Sequence, residues 1–445
     1  MKKRILIPIA ILLVALVVSA IYINPLLPII TGYAAKNLAS GVFVSHRTQQ
    51  EMEDEDLNFS FIRFTRNKID YKQKTVTSSF LWGKSKAIYI DDFGCTLLND
   101  FSEEEVLARP YPSWNYPAYD ANNVFWPMGN ILEDSIPSGI DQNRLSAITE
   151  DIFSDNPLYR GTFGFMAVYQ GQIIAERYRS DFSMHTRFLS WSMAKSITNA
   201  LVGVRVREGK LDKREPLAIE GVAKEITLND LLHMNSGLEW NENYGNQSDV
   251  TLMLHTVGDM GRYTWNRSEK YQAGQHWYYS SGSTNAACLA LRQSFDNDTD
   301  YWRFPKDWLF DKIGMQSAVF ELDASGTFVG SSYVYATLRD YARFGLLYLR
   351  EGEWLGEQIL PKKWVNYTKM VAEGSDGKYG SSFWLNADGS MPDTPTDALL
   401  CKGHDGQFIV ILPSQDLVLV RTGYSPKGKF DLNQMIKQVL TCLPK

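Results

Sequence analysis

The sequence predicts an α+β fold, with one antiparallel β-sheet built from both chain ends, helices flanking it and a mostly helical inserted region. Three observations predict it. Two β-like runs, Thr162–Tyr169 and Gln172–Tyr178, meet at Gln170-Gly171 and read as an early hairpin. A second hairpin comes late, with Phe408–Leu412 and Leu417–Thr422 around Pro413-Ser414-Gln415-Asp416. Between the two, the apolar residues recur mostly at helical spacing. An N-terminal transmembrane helix is expected ahead of this unit.

That expectation comes from the first residues. Lys2, Lys3 and Arg4 precede an apolar run from Ile5 to Ile23, and no charge follows until Lys36. Such a run spans roughly 28 Å as a helix, close to the hydrocarbon thickness of a bilayer. Positive residues on its short side place the N-terminus in the cytoplasm and the remainder across the membrane. A cleaved signal is the competing reading, because Val18-Ser19-Ala20 resembles a small-residue cleavage site. The length of the run favours an uncleaved anchor over 1–23, and either reading exports the folded part.

Residues 24–138 form an extension with no repeat and no strong periodicity. Thr75-Val76-Thr77 and Ala87-Ile88-Tyr89-Ile90 favour strands, and Pro110, Pro112 and Pro117 among aromatics suggest an extended stretch. The main domain is expected over 139–445, with its helical insertion at about 210–400. Its first helix carries Leu145, Ile148 and Ile152 behind Asp141, a suitable N-cap. Both faces of Thr162–Tyr169 are apolar, so this strand is covered on both sides. Thr337 and Asp340 form a capping box before Leu338–Leu349, and Asp431–Leu440 closes the chain as a helix.

Composition narrows the function classes. The 445 residues are 44% hydrophobic and 22% charged, with a formal net charge of −6. These are the proportions of a globular chain. No long basic run points to nucleic acid. The six histidines lack ligand spacing and Cys95, Cys288, Cys401 and Cys442 are far apart, so no metal is implied. No Gly-x-x-x-x-Gly-Lys-[Ser/Thr] cradle occurs, and no cofactor is called for. The cysteines read as buried free thiols, with a disulfide open as an alternative outside the cytoplasm.

Three strings could carry chemistry. In Ser192-Met193-Ala194-Lys195, the i and i+3 positions share one helical face. A partly desolvated lysine there can take the proton that makes a serine hydroxyl nucleophilic. The spacing alone is weak, since Ser375-Asp376-Gly377-Lys378 fits it too, but that string lies among glycines. Ser192 differs in leading an apolar helical stripe through Ile197, Ala200, Leu201 and Val204. The second string is Tyr279-Ser280-Ser281, on a loop before an apolar helix. A tyrosine beside a cation can have its phenol pKa lowered and act as a base. The third is His404-Asp405-Gly406-Gln407, entering the late hairpin, where glycine permits close backbone approach.

In this order the three strings resemble the motif set of the serine β-lactamase-like, penicillin-recognising superfamily. The likeness is to its class C and esterase branch, which includes 6-aminohexanoate-dimer hydrolases. It extends from about Trp126 to Leu440, with support from Leu231-Leu232-His233-Met234-Asn235-Ser236-Gly237 and Ala336-Thr337-Leu338-Arg339-Asp340-Tyr341. The resemblance implies that Ser192 attacks a carbonyl while Lys195 and Tyr279 share the proton transfers. It implies an oxyanion hole from the backbone N–H groups of Ser192 and Gln407. Substrate contacts would come from His404, Gly406, Ser281 and, from a neighbouring loop, Tyr244.

Two departures bear on the substrate. Ser281 stands where an asparagine usually holds the substrate's acyl amide, and His404 replaces a lysine that would pair with a β-lactam carboxylate. Both favour a small amide or ester over penicillin. A D,D-peptidase or β-lactamase acting on cell-wall-like substrates is the alternative enzyme. A non-catalytic sensor would be marked by loss of Ser192, Lys195 or Tyr279, and all three are present.

Overall fold

In the computed structural model, which describes residues 20–114, 119–154, 156–425 and 429–444, the extension has a layer of its own. Helix α1 (Leu27–Phe43) lies on an antiparallel meander of β1 (Arg66–Asp70), β2 (Thr75–Phe80), β3 (Gly83–Ile90) and β4 (Gly94–Leu97). A proline in the first turn of α1 costs no hydrogen bond there. Ala34, Ala35, Leu38 and Ala39 then pack against Val76, Ala87, Cys95 and Leu97. Small residues let other elements close on the helix: a Cβ at Gly32 would stand 2.5 Å from the His255 carbonyl oxygen.

The expected transmembrane helix is corrected here. Residues 5–19 of the apolar run lie outside the described residues, and among the described residues no helix is long and apolar enough to cross a membrane. The first long helix that is described, α1, begins after that run and lies against protein. Its apolar surface is taken up by protein on the meander side and by the helix Asp249–Thr256 on another. It also carries Lys36, only 2% exposed, whose ammonium pairs at 2.5 Å with the fully buried Glu321 carboxylate.

The main unit begins with α2 (Gln142–Ile152), where the Asp141 side chain accepts from the Arg144 N–H as its sequence position predicts. The early hairpin is β5 (Thr162–Tyr169) and β6 (Gln172–Tyr178). Gln170 and Gly171 turn it with φ of 50° and 81°, the doubly positive pair that suits a twisted two-residue connection. Helices α3 (Met193–Arg207), α4 (Ser281–Gln293) and α5 (Leu338–Leu349) follow, with shorter helices between them. The chain returns to the sheet through β7 (Trp384–Leu385), β8 (Leu399–Gly403), β9 (Gln407–Leu412) and β10 (Leu417–Gly423), then ends in α6 (Leu432–Leu440).

The resulting sheet has the order β7-β8-β9-β10-β5-β6 and is antiparallel throughout. Its strands alternate between two cores, which is why β5 and β10 are apolar on both faces. Met166, Val168, Ile409, Ile411, Val418 and Val420 face the large core that contains α3 and α5. Phe165, Ala167, Val410, Leu412 and Leu419 face the smaller core under α2 and α6. At α5 the Thr337 hydroxyl caps the Asp340 N–H as expected, but the Asp340 carboxylate is drawn elsewhere, to Arg343 at 2.6 Å and the Ser317 N–H at 2.8 Å. Cys95, Cys288, Cys401 and Cys442 are free and buried.

The Lys36–Glu321 pair joins the extension to the main unit. Glu321 also accepts from the Ser40 hydroxyl at 2.7 Å and the Cys95 N–H at 2.7 Å, so its charge is satisfied wholly by extension residues. Lys36→Met is predicted to destabilise the protein by about 3–5 kcal/mol, because a buried carboxylate loses its counter-charge. Lys74→Met, which breaks a solvent-exposed pair with Asp91, is predicted to cost no more than about 1 kcal/mol. Urea denaturation midpoints of the two variants check the contrast, and equal midpoints would refute it.

Candidate active site

Ser192 is the N-cap residue of α3, and its side chain makes no capping hydrogen bond, so the hydroxyl is free for other partners. The chain enters the helix through Trp191, a non-glycine residue at φ 45°. A conformation of this kind persists only where the surroundings impose it. They do so here: Trp191 stacks on Tyr33 of α1 at 6.4 Å, and its ring lies 5.6 Å from that of His404. The Ser190 N–H donates to the Val334 carbonyl at 2.8 Å, and Gly403 of β8 approaches so closely that a Cβ would stand 2.3 Å from the Ser190 carbonyl oxygen.

One turn into α3, Lys195 is 1% exposed. Its Nζ lies 2.9 Å from Ser192 Oγ, 3.0 Å from Ser281 Oγ and 2.9 Å from the Ser331 carbonyl oxygen. Burial pulls its pKa down to about 8, against the opposing pull of the Glu242 charge. A lysine with that value supplies a sizeable neutral fraction near pH 7–8, which an exposed lysine does not.

Tyr279 sits half-buried beside Ser192, its ring centroid 5.0 Å from Lys195 Nζ. The neighbouring cation was expected to lower its pKa. Instead burial, reinforced by the Glu242 charge, pushes the phenol well above its usual range. Tyr279 is therefore a neutral phenol at rest. Trp384 stacks on its ring at 5.3 Å and holds it in place.

Ser281, expected to touch substrate, is wholly buried. Its hydroxyl lies 2.5 Å from Glu242 Oε1 and its N–H donates to Glu242 Oε2 at 2.9 Å. Tyr244 stacks face to face on His404 at 5.1 Å, and its hydroxyl is 3.5 Å from the same carboxylate. His404, with a side chain 44% exposed, thus lies between Tyr244 and Trp191 with Nε2 3.4 Å from Asp405 Oδ1.

The third motif turns at Asp405 and Gly406, with φ of 55° and 86°. Gly406 also makes room for a buried arginine: a Cβ there would stand 2.5 Å from Arg421 Nη1. Arg421 donates to the Gly406 carbonyl at 2.7 Å from beneath the turn, and burial lowers its pKa to about 9. Gln407 opens β9. Its side chain bonds the His404 carbonyl at 3.0 Å and Gly423 through both N–H and carbonyl, which staples the turn to β10. On the side of α1, Tyr33, Asn37, Trp191, Asp405, Gln407 and Tyr424 line part of a small cavity.

Ser192, Lys195, Tyr279, Ser281, Tyr244, His404, Gly406 and Gln407 therefore gather in one region from four separate stretches of chain. Sequence reasoning missed Glu242, Ser331, Trp384 and the side chain of Gln407. Glu242 stands in Asn241-Glu242-Asn243-Tyr244, where nothing sets it apart from a surface acid. Ser331 acts through its carbonyl, which leaves no mark in a sequence. The four-residue loop Ser375–Lys378 is a turn far from this arrangement in role: Ser375 Oγ bonds the Tyr379 carbonyl at 3.2 Å and Lys378 faces Asp388 at 4.0 Å.

A family model described as Beta-lactamase matches residues 160–434, more than half of the chain. The 6-aminohexanoate-dimer hydrolase of Paenarthrobacter ureafaciens is 23% identical over 299 residues, which cover 60% of this chain and 73% of that protein. A solved structure of a candidate 6-aminohexanoate-dimer hydrolase from Bacillus anthracis aligns with a TM-score of 0.56 and 20% identity, over 71% of this chain and 88% of that one. A family VIII carboxylesterase aligns with a TM-score of 0.53 and 14% identity, over 70% and 99%. At these identities the two structures establish the shared fold. With the motif residues assembled on that fold and the family matched over 160–434, the chain belongs to the β-lactamase family and is a hydrolase of that family.

Proposed function

We propose that the protein cleaves a small amide or ester through an acyl-enzyme on Ser192, with Lys195 as general base and Tyr279 as proton donor to the leaving group. The observation that carries this reading is the Lys195 Nζ to Ser192 Oγ contact of 2.9 Å, made by a buried lysine with a lowered pKa. Neutral Lys195 takes the Ser192 proton as Oγ attacks the carbonyl carbon. The oxyanion is held between the N–H groups of Ser192 and Gln407, at the start of α3 and the start of β9. Tyr279 gives its proton to the departing nitrogen or oxygen and regains one from Lys195. A water molecule then adds to the ester carbonyl, its proton passes to Lys195, and Ser192 leaves with that proton restored.

The substrate reading follows from the side chains around this centre. His404 and Tyr244 offer a flat, weakly polar surface, and His404 supplies no permanent cation for a β-lactam carboxylate. Ser281 is committed to Lys195 and Glu242. The relatives named for amide and ester hydrolysis fit that chemistry, and the amide-or-ester reading is preferred to penicillin hydrolysis on these grounds.

Intact-protein mass spectrometry after fluorophosphonate treatment tests the nucleophile. One probe mass is expected on the wild type and none on Ser192→Ala, with unchanged circular dichroism. An adduct that persists in the variant would remove Ser192 from the mechanism. Tyr279→Phe keeps the stacking on Trp384 but loses the proton, and kcat on an amide is expected to fall by about 10²–10⁴. A fall of less than about threefold would show that Lys195 serves the leaving group unaided. Because the base must be neutral, kcat/KM is expected to rise with pH and level off above about 8, where Lys195 has lost its proton. A flat profile between pH 6 and 9 would contradict Lys195 as the base.

A further inference from the structure

Lys195 has three hydrogen-bond partners, and their chemistry constrains where its lone pair can point. As an ammonium it donates to Ser192, Ser281 and the Ser331 carbonyl, all within 3.0 Å. As a neutral amine it keeps two N–H donors and gains one lone pair. The Ser331 carbonyl can only accept, so it retains one N–H. The other N–H and the lone pair are then divided between two hydroxyls, Ser192 and Ser281, either of which could donate or accept. Only one division is productive, because the lone pair must face Ser192.

Glu242 breaks the tie. The single proton of the Ser281 hydroxyl is directed to Glu242 Oε1 at 2.5 Å. With that proton committed, Ser281 can only accept from Lys195. The carboxylate is itself held by the Trp240 indole N–H at 2.5 Å and the Ser281 N–H at 2.9 Å, both on Oε2, with the Tyr244 hydroxyl at 3.5 Å from Oε1. We propose that Glu242 is a positioning residue that acts through Ser281 to fix the direction of this hydrogen-bond chain and so aims the Lys195 lone pair at Ser192. The inference rests on the acyl-enzyme reading above. It also gives the buried second-motif serine a role: Ser281 is a one-way relay and makes no contact with substrate.

Other titratable groups face this pair. Tyr279, Tyr244 and Tyr379 surround Glu242, and Cys288 of α4 faces Lys195; burial keeps all four neutral by raising their pKa values. The charge that acts on Lys195 is therefore that of Glu242, and it favours the ammonium. Two separable effects follow from removing it. The acid limb of the acylation profile should move to lower pH, because the ammonium loses a favourable neighbour. The high-pH plateau should nevertheless fall, because a neutral lysine can then accept a proton from Ser281 in place of Ser192.

The test is the rate constant of Ser192 phosphonylation by a fluorophosphonate, Oγ displacing fluoride from phosphorus, on the full chain against pH, for wild type, Glu242→Gln, Ser281→Ala and the double variant. Glu242→Gln is expected to lower the plateau by at least about tenfold while shifting the limb downward. Ser281→Ala is expected to lower the plateau with the limb nearly unmoved, since the Glu242 charge remains. In the double variant the glutamine should cost less than about twofold beyond Ser281→Ala, the non-additivity of two residues acting as one unit. A merely structural role would reduce the labelled fraction without moving the limb. A wild-type plateau in Glu242→Gln, or full additivity in the double variant, would overturn the role of Glu242 while leaving Ser192 as nucleophile. Should Glu242→Gln not fold, a wild-type plateau in Ser281→Ala overturns it alone. Wild-type protein that takes no label at Ser192 would overturn the acyl-enzyme reading, and this inference with it.

Discussion

The burial of Lys195 in the first turn of α3 is the constraint around which the rest of the structure is arranged. A cation with almost no solvent contact is costly unless its donors are matched, and the site supplies three acceptors within 3.0 Å. Each comes from a different part of the chain: Ser192 from the same helix, Ser281 from α4, and the Ser331 carbonyl from the loop before α5. The three segments can meet only if α3 runs through the centre of the large core. The run from Met193 to Arg205 is accordingly buried without a break. Electrostatics and packing have one origin here, since the desolvation that lowers the Lys195 pKa also requires the surrounding helices to close on it.

The extension enters this arrangement as a structural partner of the segment that leads into Ser192. Tyr33 of α1 backs Trp191, the residue held at positive φ immediately before Ser192. Three residues along, Lys36 reaches Glu321, and its Nζ also lies 3.9 Å from the centre of the Tyr333 ring. Tyr333 in turn faces Trp191 at 6.3 Å. A buried ion pair and an aromatic stack therefore converge on the strained entry to α3. The extension is in this sense part of the wall behind Ser192.

The third motif is held by different means. The turn at Asp405 and Gly406 places the N–H of Gln407 at the start of β9, and it is supported from below by buried Arg421. Arg421 also bonds Ser425 at 2.6 Å and Thr162 at 3.1 Å, so one guanidinium ties β10, the start of β5 and the turn together. The planar fork of an arginine suits this task because it meets several carbonyl and hydroxyl acceptors at fixed angles. The Gln407 side chain secures the same turn from the β10 side.

Local patterns were enough to determine the sheet hairpins, the caps at Asp141 and Thr337, and the three motif strings, because each depends on residues close together in sequence. The apolar faces of β5 likewise announced a strand covered on both sides. What lay between distant segments could not be read in that way. The helix and meander of the extension pack chiefly on each other across distant stretches of sequence, and the alanines and glycines of α1 carry little periodic signal. The apolar N-terminal run invited a membrane span on hydropathy alone, and among the described residues no helix is long and apolar enough to cross a membrane. Tyr279 is the sharpest case. Its sequence neighbourhood suggested a phenol with a lowered pKa, but burial and the Glu242 carboxylate, which stands far from it in sequence, push it upward. A residue's type and spacing can nominate it for a reaction. Its protonation state and the direction of its hydrogen bonds depend on which charges and acceptors the folded chain places around it, and only the tertiary structure decides those.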